Sequence, residues 1–454
     1  MRAGLHMRRW FGVVLAVATI ASCAMLAATG SAKAASPQYA DGAMPAVGVI
    51  TGHGGPVRAL TALDSLGAIV TGGFDSAIIV WNLKSGSARS VLRFHDSTVN
   101  AVVALKGGCF ASAGEDARIA IWCPGSNEPQ KVLTGHTAPI SALAVSPDGQ
   151  TLASASWDHS VRLWALDGDK GSRVVEGHKG PVNGIAFLRD GSAIASAGYD
   201  GQIRVTSLTD GVAAVFIATE APVNSIAILP DGNIAAAGAD GRLRFYTPSL
   251  MLTDDVEIGT GPLTTIAVSP DGAVMATAGM RTPVTLLSGV TRRITHEILG
   301  PGLPVWSVGF SRDGGELITG GADRAVRRWD AKTGKPAGDD LAAAVEDVTA
   351  NDTHPGAGVF RACKACHSLA PGDSSRAGPT LHGIMGRRIA SAPGYVYSEA
   401  LKRLDIIWSP ETVARLFEVG PNAYLPGTKM PEQTISNPED RKALVEWLLE
   451  KARP

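Results

Sequence analysis

The sequence predicts an all-β seven-bladed β-propeller followed by a small all-α domain, and three observations carry that prediction. A pattern recurs about every 41 residues through roughly the first three-quarters of the 454-residue chain. Each recurrence contains short alternating runs broken by turn residues, which is the signature of strands. After about residue 340 the repeat stops, from about residue 354 a Cys-x-x-Cys-His cluster appears, and the chain ends on a helix-periodic segment with start and stop signals.

Residues 1–34 read as a leader that is not part of either fold. Arg2, Arg8 and Arg9 precede an apolar run from Trp10 to Leu26, and Ala32-Lys33-Ala34 places small residues before a cut after Ala34. Ile20-Ala21-Ser22-Cys23 offers a second solution, a lipoprotein-type site leaving a lipidated Cys23. The cut at Ala34 is preferred because the residues after Cys23 stay apolar. No other stretch is long and apolar enough to span a bilayer, so the expectation is a periplasmic protein with no transmembrane span in the mature chain.

The repeats occupy residues 41–340. His53, His95, His136 and His178 stand 42, 41 and 42 residues apart, and the series continues through Val182, Val223, Leu263 and Val305 in steps of 41, 40 and 42. Seven units result. An Asp precedes a Trp by six positions in Asp75/Trp81, Asp116/Trp122, Asp158/Trp164 and Asp323/Trp329, while Asp200/Thr206 and Asp240/Tyr246 keep the spacing with a changed partner. In a blade, the His, a Ser or Thr, the turn Asp and the indole N–H satisfy one another, so these residues are expected to be structural and none is assigned as catalytic.

These features resemble the WD-repeat β-propeller family over roughly residues 45 to 335. The match is strong for blades one to four and seven, weaker for five, and weak for six, where Arg281 and Leu287 take the Asp and Trp places. Pro45 to Ile50 reads as a strand without a blade, so ring closure is expected by pairing it with the last blade. The Pro-Asp-Gly triplets at 147, 230 and 270 lack the further carboxylates of calcium loops and read as β-turns. Gly259 to Gly261 precedes no helix, which excludes a phosphate loop. Cys109 and Cys123 fall opposite each other on one hairpin and either form a disulfide in an oxidising compartment or remain two small buried residues.

Residues 341–353 form a linker, with a short helix possible at Leu341 to Val345. Beyond it stand Cys363, Cys366 and His367. This spacing lets two thiols add across haem vinyl groups as thioethers while the adjacent imidazole reaches the iron. A thioredoxin-like dithiol or half a zinc knuckle shares the spacing, but no second Cys pair accompanies it. Met430 follows His367 by 63 residues within Pro426-Gly427-Thr428-Lys429-Met430, a stiff loop that supplies a soft second axial ligand.

From about Gly356 to Arg453 the chain resembles a class I cytochrome c of the mitochondrial and α-proteobacterial type. The residues that carry the likeness are Gly378-Pro379-Thr380-Leu381-His382-Gly383, Gly386-Arg387-Arg388, Ala392 to Ser398, Ile406-Ile407-Trp408 and Pro426 to Met430. The resemblance implies an all-α class I cytochrome c domain over 354–454 holding one covalent haem c, with Cys363 and Cys366 attached and His367 and Met430 on the iron. It further implies that the Pro379 carbonyl orients His367 and that Arg387, Tyr397, Trp408 and Thr428 surround the propionates. Ile389, Leu401 and Phe417 stand where close relatives often carry a polar threonine, asparagine and tyrosine, so a thinner polar network beside Met430 is expected.

Ser436 or Asn437 caps a last helix with Pro438 at its first position and Glu439 and Asp440 in its first turn. Leu444, Trp447, Leu448 and Lys451 share one side of it, the side expected to face the helix carrying the Cys-x-x-Cys-His.

The formal charge is −1, and loss of Arg2, Arg8, Arg9 and Lys33 with the leader takes it to −5. No basic field exists to hold nucleic acid. Lys364, Lys402, Arg403 and Lys429 are placed to ring a haem edge. The expected function is single-electron transfer to a redox partner protein, with the propeller face as a docking module. Two other classes share these residues: a haem-based redox or gas sensor in which Met430 leaves the iron, and a cytochrome–propeller oxidoreductase with a second cofactor.

Overall fold

A computed structural model describes residues 48–63, 67–168, 171–209, 215–298, 304–338, 349, 352–364, 366–373, 376–395, 397–428, 430 and 433–454. The leader and the possible helix at Leu341 to Val345 lie outside the described residues.

Alternating runs bounded by turns become, among the described residues, seven four-stranded antiparallel sheets. The first blade comprises Val57–Leu63, Ala68–Gly73, Ala77–Asn82 and Ala88–Arg93. Its second strand is buried along its whole length because a neighbouring blade covers each face, so it reads as continuous apolar and small residues. Outer strands such as Lys131–Leu133 and Arg173–Val175 are short, which limits the edge they offer to other chains.

The ring closes as expected. Val49–Thr51 pairs antiparallel with Ala325–Asp330, placing Val49 opposite Arg327 and Ile50 opposite Val326, and so supplies the seventh blade's fourth strand. Ile50 is buried with Val326, Trp81 and Ile79, which ties the first and last blades into one core.

A bulge falls at the same place in every inner pair, between Val99 and Ala101, Ile140 and Ala142, Val182 and Gly184, and at the equivalent steps of the other blades. The bulged residue is re-aimed across the joint. Asn100 donates to the Ile140 carbonyl at 3.1 Å, Asn183 to Val223 at 3.2 Å, Asn224 to Leu263 at 2.7 Å and Thr264 to Val305 at 2.8 Å. At the closing joint Arg58 stacks on Trp306, 5.7 Å from the ring centre, and reaches its carbonyl at 3.5 Å.

The polar chains expected in the blades are present. In the first, the His53 Nδ1 donates to Asp75 at 3.1 Å, its Nε2 meets the Thr71 hydroxyl at 2.7 Å, and the Trp81 indole donates to the same hydroxyl at 2.7 Å. His95 and His136 repeat this with Ser112, Asp116, Trp122 and with Ser154, Asp158, Trp164. His178 binds Asp200 and Ser196 with Thr206 in the indole's place. Each Pro-Asp-Gly triplet is a turn closed by its glycine, Gly149 to Ser146, Gly232 to Leu229 and Gly272 to Ser269, with the glycine at positive φ. Cys109 and Cys123 are joined as a disulfide, which decides the alternative left open by the sequence.

The C-terminal domain is helical. Helix α1 (Pro355–Phe360) is followed by α2 (Glu399–Lys402), α3 (Pro410–Val419), α4 (Pro421–Tyr424) and α5 (Pro438–Lys451). Asn437 is the α5 cap, accepting from the Glu439 amide at 3.0 Å. Leu444, Trp447 and Leu448 are buried, and Phe360 meets Trp447 with ring centres 4.6 Å apart. Gly356 makes this crossing possible, since a Cβ there would stand 2.1 Å from the Ala443 carbonyl oxygen. Asp352 anchors the start of the domain by accepting from the Trp447 indole at 2.8 Å and pairing with Lys451 at 3.4 Å. The propeller and the helical domain belong to one compact unit.

Candidate haem site

The Cys-x-x-Cys-His segment does not ride on α1, as expected, but on the turns that follow it. Backbone bonds there mix the two helical patterns: Cys363 to Phe360 at 2.8 Å and Cys366 to Cys363 at 3.0 Å span three residues, while Lys364 to Phe360 at 3.1 Å and His367 to Cys363 at 3.0 Å span four. Residues three and four apart fall on one side of such turns, so both thiols and His367 face inward.

They face a cavity of about 730 Å³, a size suited to a cofactor. All nine residues expected from the sequence line it: Cys363, Cys366, His367, Pro379, Arg387, Tyr397, Trp408, Thr428 and Met430. The His367 Nδ1 donates to the Pro379 carbonyl at 2.8 Å, which fixes the tautomer and leaves Nε2 as the lone-pair nitrogen. Burial pushes this imidazole toward its neutral form, the form that binds a metal. Neither thiol is in a disulfide. Burial holds the Cys363 thiol up to about 12, and burial followed by the nearby Asp75 carboxylate holds Cys366 up to about 11.

Met430 is set by a braced loop. Its amide donates to the Thr428 hydroxyl at 3.1 Å, and Ser398 donates to the Gly427 carbonyl at 3.0 Å. Gly427 has φ +82°, and a Cβ on it would lie 2.5 Å from that of Ala400. Trp408 is held to the segment carrying Arg387 by two backbone bonds, Trp408 to Arg387 at 2.9 Å and Gly386 to Trp408 at 2.7 Å. The Arg387 guanidinium donates to Thr380 and His382 carbonyls at 2.7 and 2.9 Å, two of its five N–H groups. Ile389, Leu401 and Phe417 also line the cavity, an apolar stretch where the sequence led us to expect a thin polar network. Lys402 reaches the rim paired with Glu399 at 2.7 Å, whereas Lys429 lies outside the described residues.

Sequence reasoning missed one wall. Gly54, Asp75, Arg93, Phe94 and Arg324, all from the propeller, line the same cavity.

The donor set of two free thiols, a neutral histidine with an oriented ring and a methionine fits an attached haem and defines the class as a c-type haem protein carrying a propeller. The match to known proteins agrees. Residues 354–451 match the cytochrome c family model, and residues 45–82, 127–165, 170–207, 212–247 and 292–330 match the WD domain, G-beta repeat model. The chain is 38% identical to a cytochrome c of Arabidopsis thaliana over 103 residues, 22% of this chain and 91% of that protein. It is 42% identical to a cytochrome c2 of Blastochloris viridis over 90 residues, 20% of this chain and 70% of that protein. The chain belongs to the cytochrome c family through its C-terminal domain, which implies covalently bound haem c and places it among electron carriers. The three inner strands of the second blade lie outside these matches, yet the blade carries a complete His95–Ser112–Asp116–Trp122 chain.

Proposed function

We propose that the protein is an exported carrier of single electrons, with its haem iron between His367 and Met430 and its propeller as a docking module for a redox partner protein. One observation carries the ligation: His367 and Met430 face one cavity, and the Pro379 contact leaves the His367 Nε2 free to bind. The bound haem supplies one-electron chemistry at iron. The chain's residues do the rest. Cys363 and Cys366 would hold the group covalently, His367 and Met430 would both bind its iron and leave no position for a substrate, and Ile389, Leu401 and Phe417 would face it with apolar side chains. Arg387 brings positive charge to the side assigned to the propionates.

Absorption spectra of the purified protein test this reading. The expected result is a low-spin haem in both redox states, with a weak far-red iron–methionine band when oxidised. Rapid carbon monoxide binding by the reduced wild type would overturn it in favour of a sensor.

Export to the periplasm is proposed on residues 1–34, and sequencing the mature N-terminus should find Ala35 first. A lipid on Cys23 would replace that reading. Docking is supported by large apolar side chains just before the blade turns, Trp157 at 50% and Tyr199 at 65% exposure, with Phe74 and Met280 also exposed. His53, His95, His136 and His178 are engaged with Asp75, Asp116, Asp158 and Asp200, so none of these residues is assigned a catalytic role.

A further inference from the structure

We infer that the propeller's first blade is a working wall of the haem site and that Arg93 is a positioning residue for the haem ligand His367, an inference that rests on the His367 ligation proposed above.

Four consecutive residues, 376–379, connect the first blade to His367. The Arg93 guanidinium donates to the Arg376 carbonyl at 2.8 Å and the Ala377 carbonyl at 2.7 Å. The Ala377 amide donates back across the boundary to Gly52 at 3.1 Å. Tyr395 stacks beneath Arg93 with its ring centre 4.0 Å from the guanidinium carbon, and its hydroxyl donates to the same Ala377 carbonyl at 2.9 Å. The next two residues hold the ligand segment. The Gly378 amide donates to the Cys366 carbonyl at 2.7 Å, and a Cβ on Gly378 would lie 2.5 Å from the His367 ring. The Pro379 carbonyl then accepts a hydrogen bond from the His367 Nδ1 at 2.8 Å. One end of a short rigid stretch is thus clamped by the propeller while the other sets the imidazole.

A planar guanidinium suits this position. Both bonds leave one terminal nitrogen while the plane of the group lies on the Tyr395 ring, and a compact ammonium has no such plane to stack. The blade also approaches closely enough to need a glycine, because a Cβ on Gly54 would stand 2.8 Å from the Cys366 sulfur. The Cys366 side of the site is therefore closed by the propeller and is not an open face for another protein. An isolated cytochrome domain would lack this wall, so the fused propeller acts on the haem environment as well as on encounters with partners.

The test uses the full-length haem-loaded protein with Arg93→Ala, Arg93→Lys and Tyr395→Leu. Amide hydrogen exchange at Ala377 and Gly378 should rise about tenfold in Arg93→Ala, the equilibrium equivalent of one charge-assisted hydrogen bond, with Arg93→Lys in between. The reduction potential should shift in the same order, and the oxidised far-red band should be lost at a lower pH. Tyr395→Leu should move all three readouts in the same direction and stands in if Arg93→Ala fails to fold. Unchanged exchange at 377 and 378 would overturn the wall. Raised exchange with an unchanged potential and spectrum would make Arg93 a mere interdomain tether and overturn its positioning role. A wild-type spectrum without the methionine band would instead count against the ligation, and the exchange measurement would still decide the wall.

Discussion

The guanidinium of Arg93 lies 4.0 Å over the ring of Tyr395, and both donate to the backbone carbonyl of Ala377. Arg93 ends the first blade's outer strand and Tyr395 belongs to the helical domain, so one carbonyl two residues before Pro379 is satisfied from both domains at once. The two halves of the chain consequently meet two residues before the Pro379 carbonyl that accepts from His367.

Removing Met430, the proposed second ligand, is the first test of the site. Met430→Ala should leave the haem covalently attached through Cys363 and Cys366, because nothing in that attachment depends on the loop at 426–430. The soft thioether favours ferrous iron, so its loss should lower the reduction potential and open a position to carbon monoxide. A variant that keeps the parent potential and excludes carbon monoxide would show that another group holds the iron.

Ring closure makes a second prediction. Ile50 is 2% exposed and packs with Val326, Trp81 and Ile79 across the joint between last and first blades. Ile50→Ala should destabilise the propeller by about 3 kcal/mol. Thermal or denaturant unfolding checks this, and a loss well below 1 kcal/mol would mean the strand Val49–Thr51 contributes little to closure.

Much of this was legible because buried polar atoms must find partners. The His, Ser or Thr, Asp and Trp of a blade recur at fixed offsets, and the sequence pattern shows their mutual satisfaction before any coordinate does. The interblade contacts were not read, although Asn100, Ser141, Asn183, Asn224 and Thr264 each follow the periodic apolar residue. Their meaning depends on a bulge, which leaves no mark in period-two alternation. Blade six lost its polar signature yet folds, since Met275, Leu286 and Leu287 still fill its interior. Arg93 was invisible for another reason: an arginine ending an outer strand looks solvent-facing until a second domain is placed over it.

The disulfide between Cys109 and Cys123 closes a loop of 14 residues beside the second blade's central strands. On chain-entropy grounds, replacing both cysteines with serine should cost about 3 kcal/mol. Alkylation without reductant followed by peptide mass measurement should leave both residues unlabelled. Label on both would remove the bond and its contribution.

Acid should weaken the propeller through its buried pairs. Burial holds His136 and His178 below the usual imidazole range, against the opposing pull of Asp158 and Asp200. Asp158 is lowered to about 2 by hydrogen bonds from Ser160, His136 and Thr137 that outweigh its burial. In both cases the unfolded chain binds protons that the folded chain refuses, so stability is full above the unfolded imidazole value near 6.5 and falls as pH drops. The carboxylate part is lost from about pH 4 toward 2. The melting temperature should therefore decline continuously on acidification, and His136→Gln should flatten its slope between pH 7 and 5. A flat profile down to pH 4 would show that these pairs titrate alike folded and unfolded.

The docking role predicts a division between large and small redox partners. Trp157 and Tyr199 stand exposed before the turns of the third and fourth blades, away from the haem cavity's lining residues. Aromatic side chains of this kind dominate the energy of protein interfaces, and truncating one commonly costs more than 1 kcal/mol. The double variant Trp157→Ala/Tyr199→Ala should thus slow electron exchange with the natural donor by about tenfold or more, while a small inorganic mediator should exchange with variant and parent at the same rate. Measuring haem reduction in extracts of the parent organism, with each candidate donor and with the mediator, separates encounter from intrinsic reactivity. Equal slowing by both would place the defect at the haem. No slowing with any protein donor would leave this face without a docking role and direct the search for the partner surface elsewhere on the propeller.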